Sequence, residues 1–176
     1  ANGKTYDATT AATTQGALDG VISGDSVALA TAGSFADKNA GNGKLVNVTG
    51  TISGTDAGNY VLSSNATTNA TIDQAALTIS AGDAAKAFGE AAALDRYTTA
   101  GLLAGDSVSA VALTSSGAGA EAAAGNYVIQ ASNATGEGLN NYAIRYLDGQ
   151  LAVAAGPSTT PTTPTNPTTP NPPVTP

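Results

Sequence analysis

Along most of the chain, short runs alternate apolar with polar residues, and clusters of Gly, Asn, Asp and Ser interrupt them. Such a period-two pattern predicts half-buried β-strands, because successive side chains of an extended backbone point to opposite faces. In LVNVTGTI, Val46, Val48 and Ile52 fall on one face, with Asn47, Thr49 and Thr51 on the other. Further strands are predicted at residues 27–29, 60–62, 77–79, 111–113, 128–129, 142–146 and 151–153. The segments LDGVISGD and TTAGLLAGD each predict a short helical turn, over residues 18–23 and 102–106, closed by the glycine before Asp25 or Asp106. The Ala-rich stretches 84–94 and 118–124 have helix propensity, but Gly89 and Gly119 interrupt them, which points to loop or short strand.

The pattern repeats. AGNYVLSSNAT at residues 57–67 returns as AGNYVIQASNAT at 124–135, and GVISGDSVAL at 20–29 returns as GLLAGDSVSAVAL at 101–113. Two pairs in the same order indicate a duplicated module. The interval from Gly20 to Ala57 is longer than that from Gly101 to Ala124, which predicts an added hairpin in the first module with its turn at Gly41-Asn42-Gly43. All 8 prolines fall in residues 157–176. Proline fixes φ and biases its predecessor toward extended forms, so this Pro/Thr-rich linker is expected to be an extended spacer. The expected domains are 1–79, 80–156 and the linker 157–176. The expected architecture is mostly β, with two small tandem β-grasp-like modules, each a mixed sheet crossed by a short helical turn. An immunoglobulin-like β-sandwich is the alternative.

Composition narrows the chemistry. The 176 residues hold 2 Phe, 6 Tyr and no Trp or Met, so burial rests on Val, Ile, Leu, Ala and the tyrosines. A formal net charge of -7 with 6 scattered basic residues argues against nucleic acid or an anionic membrane as partner. No run approaches the ~18 apolar residues of a membrane span. Histidine and cysteine are both absent, which removes the commonest general base, the thiol nucleophile and the strongest metal ligands. Glu90, Glu121 and Glu137 lie in Ala/Gly-rich, loop-like sequence and are expected to be solvated rather than a catalytic pair, so no enzyme activity is expected.

Several spaced motifs carry a family resemblance. KTYDATT from Lys4, GVISGDSVAL, FADKNAGNGKLVNVTGTISGTDAGNY and ATIDQAALTIS together resemble the YDG-type repeat module of large bacterial secreted adhesins. KAFGEAAAL from Lys86, GLLAGDSVSAV, AAGNYVI and NNYAIRYLDGQLAV resemble the neighbouring MBG-type module. Two departures stand out: Ala8 follows Tyr-Asp where the family usually has glycine, and is expected to avoid positive φ, while Phe88 stands where tyrosine is usual. The resemblance implies filamentous-haemagglutinin-like adhesins exported by two-partner secretion. It therefore implies an extracellular or cell-surface location and a stalk or spacer role supporting attachment or biofilm formation. The chain is expected to be an excerpt of a longer polypeptide whose partners are neighbouring modules of the same chain and an extracellular polysaccharide or host surface.

Four features carry candidate chemistry. Asp25 and Asp106 hold the same place in both repeats and suit turn-forming hydrogen bonds to backbone amides. No cofactor is expected. Calcium is the sharper alternative for these aspartates and for a junction at residues 80–83, although no DxDxDG-like loop appears. Tyr60 and Tyr127, each after Ala-Gly-Asn, are expected to be equivalent core anchors that reach a partner with the hydroxyl, and Asn141-Tyr142 echoes them. As the alternative to a stalk, a direct glycan- or protein-binding module would use an exposed patch of Tyr97, Asn140, Asn141, Tyr142 and Tyr146. Asn47, Asn65, Asn69 and Asn133 begin Asn-X-Ser/Thr sequons and are candidate glycosylation sites.

Overall fold

The computed structural model of the chain describes residues 1–63 and 66–156; Asn65 and the Pro/Thr tail lie outside the described residues. The strands are β1 (Lys4–Thr5), β2 (Ala11–Ala12), β3 (Ala28–Phe35), β4 (Gly41–Ser53), β5 (Ala66–Asp73), β6 (Ala75–Ala81), β7 (Ala84–Lys86), β8 (Tyr97–Ala100), β9 (Ala110–Thr114), β10 (Gly125–Thr135), β11 (Tyr142–Leu147) and β12 (Gly149–Val153). They form three sheets, in the orders β1-β5-β4-β3-β2, β7-β12-β10-β9 and β11-β6-β8. The protein is thus mostly β, built of small tandem modules. The sheets are mixed: β1/β5, β6/β11 and β7/β12 run parallel, and the remaining pairs antiparallel.

Alternation decides which faces are buried. In β6, Ala75, Leu77, Ile79 and Ala81 point inward, as its period-two pattern requires. The strand lies between parallel β11, from Tyr142 opposite Ala75 to Leu147 opposite Ser80, and antiparallel β8. One residue, Gln74, separates β6 from β5 of the first sheet. A single contiguous core therefore spans both modules, joining Tyr6, Phe35, Val46, Ala70 and Ile72 to Ala75, Leu77, Ile79 and Tyr142. A smaller cluster, Ala81, Ile129, Ala131, Leu151 and Val153, lies within the second module. Gln74 thus links the first sheet to β6, and within the segment 80–83, where a junction is expected, Asp83 accepts a hydrogen bond from the Gln150 amide at 2.7 Å.

Four local expectations are corrected. No helical turn forms at 18–23 or 102–106: these are tight turns closed by Asp25 N–H to Ile22 C=O (3.1 Å) and Asp106 N–H to Leu103 C=O (3.2 Å). Gly24 and Gly105, at φ 103° and 92°, cannot continue a right-handed helix. The helical turns fall instead at Ala57–Asn59 and Leu139–Asn141, both 3-10 and both directly ahead of a tyrosine. The β3–β4 connection is made at residues 36–40, where Asp37 accepts from the Asn39 amide at 2.8 Å, and Gly41-Asn42-Gly43 forms a bulge at the start of β4. Ala8 does adopt positive φ, 63°, held by the Asp7 carboxylate accepting from Thr9 N–H (2.9 Å) and Thr9 hydroxyl (2.8 Å). Finally, residues 60–62, expected as a strand, have no ladder partner among the described residues.

Candidate functional site

The two GDSV aspartates organise equivalent sites. In the first module the Tyr60 hydroxyl donates to Asp25 at 2.6 Å and accepts from the Ile22 amide at 3.0 Å. In the second, the Tyr142 hydroxyl donates to Asp106 at 2.6 Å and accepts from the Leu103 amide at 3.0 Å. Each tyrosine follows a 3-10 turn that aims its ring back over the GDSV turn. The structural counterpart of Tyr60 is therefore Tyr142, which corrects the pairing with Tyr127. Tyr127 lies inside β10 and donates to the Ala123 carbonyl at 2.9 Å. The separations agree, 35 residues from Asp25 to Tyr60 and 36 from Asp106 to Tyr142, so the first module carries no added hairpin.

What distinguishes the second site is that the first module completes it. Tyr6 donates its hydroxyl to Asp106 at 2.9 Å and stands edge-on to Tyr142, ring centroids 5.5 Å apart. Lys38 places its ammonium 3.9 Å from the same carboxylate, whose side chain is only 3% exposed. Asn141 accepts from the Ala40 amide at 2.9 Å, and Gln74 donates to the Asn140 carbonyl at 3.0 Å. A nearly buried carboxylate is tolerated here because two hydroxyls and a nearby cation replace water. Burial and the hydrogen bond to Asp106 push the Tyr142 hydroxyl up to about 12, and the same two causes raise Tyr6. Tyr60 is also raised, chiefly by its bond to Asp25. Beside this site, the hydrogen bond from Lys4 to Asp7, 2.7 Å, holds that carboxyl down at about 2.

The residues proposed for a glycan patch lie apart from any exposed platform. Tyr142 and Asn141 are 3% and 4% exposed and occupied at the module junction, leaving no face for a sugar ring. Tyr97 and Tyr146 are half-buried, one donating to the Val108 carbonyl at 3.3 Å and the other accepting from the Ala134 amide at 2.9 Å. Asn140 alone of the five is exposed. An open groove of about 630 Å³ between Asp83, Leu94, Arg96 and Ile129 has no aromatic lining. Asn47, Asn69 and Asn133 are exposed, Asn133 with φ 50°; Asn65 lies outside the described residues. Asp25 and Asp106 each face a tyrosine hydroxyl, and among the described residues no three His, Cys, Asp or Glu side chains gather as a metal site.

The fold and this junction define a pair of repeated, mostly β modules docked through a shared core and the Tyr6–Asp106 bond. Comparison with protein families agrees: residues 1–69 match the YDG domain and residues 77–152 the MBG domain of YGX type. The chain thus carries YDG and MBG domains in tandem. No curated protein and no solved structure matches it.

Proposed function

We propose that this segment is a spacer in the stalk of a bacterial cell-surface or secreted adhesin, of the filamentous-haemagglutinin-like, two-partner-secretion kind, where it supports attachment or biofilm formation by holding modules in series outside the cell. The observation that carries the reading is the joint itself. A single residue leads from β5 into β6, and a shared core with the Tyr6–Asp106 bond docks one module on the next. Such docking resists the independent swivelling expected of modules on a loose linker. Its partners are neighbouring modules of the same chain; an extracellular polysaccharide or host surface would be engaged elsewhere in the polypeptide.

A replacement experiment tests this. Substituting the segment, in an adhesin that carries it, with unrelated β-modules of similar length should leave attachment intact, whereas deletion without replacement should weaken it. Loss of attachment on length-matched replacement would mean that the segment itself binds, and a glycan array on the isolated protein would then show the ligand class.

A further inference from the structure

The repeat equivalence gives every strand of the second module a counterpart in the first except β6. Gly20 and Gly101 (φ 85° and 95°), Gly24 and Gly105, Asp25 and Asp106, and Tyr60 and Tyr142 occupy matching places. Residues 16–19 then correspond to β8, and residues 60–63 to β11. In the second module β6 fills the space between those two strands, hydrogen-bonded on both sides. In the first, the same space is an open groove of about 260 Å³ lined by Ala17, Leu18, Val21, Ile52, Tyr60 and Leu62.

We infer that this groove is a docking slot for a β6-type strand contributed by a neighbouring module. That strand would run parallel to residues 60–63 and antiparallel to residues 16–19, with alternate small or aliphatic side chains facing inward. Exposure on the slot's rim supports this. Ile22 is 68% exposed, whereas its counterpart Leu103 packs on the shared core, and Tyr60 is half-exposed where Tyr142 is buried. Asp25 takes one tyrosine hydroxyl among the described residues, while Asp106 takes a second from the module before it. Among the described residues neither 16–19 nor 61–63 belongs to a ladder, and two such flanking segments over a mainly apolar groove, with Asp19 and Ser63 at its lining, are the elements of strand addition. The occupant is given by the filled copy: its pattern is that of AALTISA, and it enters ahead of Lys4 at the spacing that separates β6 from Lys86. The inference stands whether or not the segment serves as a spacer.

The test fuses a second QAALTISAG, the sequence of residues 74–82, directly ahead of Ala1, which restores that spacing. The expected result is a rise in melting temperature of about 5 °C or more, with new hydrogen-exchange protection at amides 16–19 and 61–63. A fusion of the same composition with its apolar residues grouped should show neither, and Leu62→Asp in the matched fusion should cancel both. Unchanged melting and exchange in the matched fusion would overturn the inference. Self-association of the unfused protein with protection of the same amides would also overturn it, by assigning the slot to a second copy.

Discussion

Truncating Asp106 to alanine should be far more damaging than truncating its repeat partner Asp25. The Asp106 carboxylate is 3% exposed and accepts from two tyrosine hydroxyls at 2.9 and 2.6 Å. Hydrogen bonds to a charged group contribute about 1.5–3 kcal/mol each. Lys38, 42% exposed at its side chain and 3.9 Å away, adds under about 1 kcal/mol. Part of this is offset because the variant no longer buries a charge, and because Tyr142 keeps the Leu103 amide as a partner. Asp106→Ala should therefore cost about 3–5 kcal/mol, a large share of the ~5–15 kcal/mol that holds a domain folded. Asp25 has, among the described residues, a single hydroxyl partner at a half-exposed site where water can replace it, so Asp25→Ala should cost about 1 kcal/mol. Urea unfolding followed by circular dichroism and tyrosine fluorescence measures both, and a shift in midpoint at constant m isolates stability from changes in the denatured state. If Asp106→Ala is too unstable to study, Tyr6→Phe removes one bond, keeps the ring, and should cost about 1–2 kcal/mol. Equal costs for the two aspartates, or no effect of Tyr6→Phe, would refute the idea that the first module completes the Asp106 site.

Other outcomes follow from the same geometry. Tyr142 keeps its proton in the fold up to about 12 while the unfolded chain loses it near 10. Stability is thus fully present below about pH 10 and falls on the order of 2 kcal/mol as pH rises through that window, with Tyr6 acting in the same sense. Urea midpoints measured from pH 9 to 12 should show this slope, and Tyr142→Phe should flatten it. Ala8→Gly should stabilise by about 0.5–1 kcal/mol, because glycine takes φ 63° without strain; an unchanged melting temperature would argue against it. Gly138 combines φ 75° with a site where a Cβ would run into the Asp106 carboxylate, whereas Gly105, at φ 92°, has open space around it. Gly105→Ala should cost on the order of 1 kcal/mol and Gly138→Ala clearly more, in the same urea assay.

Strand content was legible because alternation reports burial directly: residues 77–79, 111–113, 128–129, 142–146 and 151–153 all lie in strands. Residues 60–62 fail as a strand for a reason no local pattern contains, since a strand needs a neighbour and the groove beside them is open. The Tyr60–Tyr127 pairing misled because near-identity over AGNY outweighed position. The hydrogen-bonding role belongs to Tyr142, which shares only Asn-Tyr with the first copy but lies at nearly the same distance from its aspartate. That spacing was present in the sequence and was the better signal. The helical turns are misplaced because the glycine ahead of each aspartate, Gly24 or Gly105, reads locally as a helix-closing residue, while its positive φ belongs to a tight turn. Tyr6 as a ligand of Asp106 had no signal at all: the bond spans 100 residues, and only the β5–β6 passage brings the two together.

The central place of β6 in its sheet also sets the order in which pairing partners become available as the chain is delivered from its N-terminal end. β6 is made directly after β5, but both strands that flank it come later, β8 first and β11 near the end of the second module. For that interval a strand with Ala75, Leu77, Ile79 and Ala81 on one face waits without its ladder. Pairing that joins distant parts of a chain is slow, and an unpaired apolar strand can meanwhile join a wrong partner. The first module's apolar surface, already assembled around Ile72 and Tyr6, gives that face a place to rest. Each finished module would in this way act as a template for its successor, and an array would mature from its N-terminal end, one unit at a time.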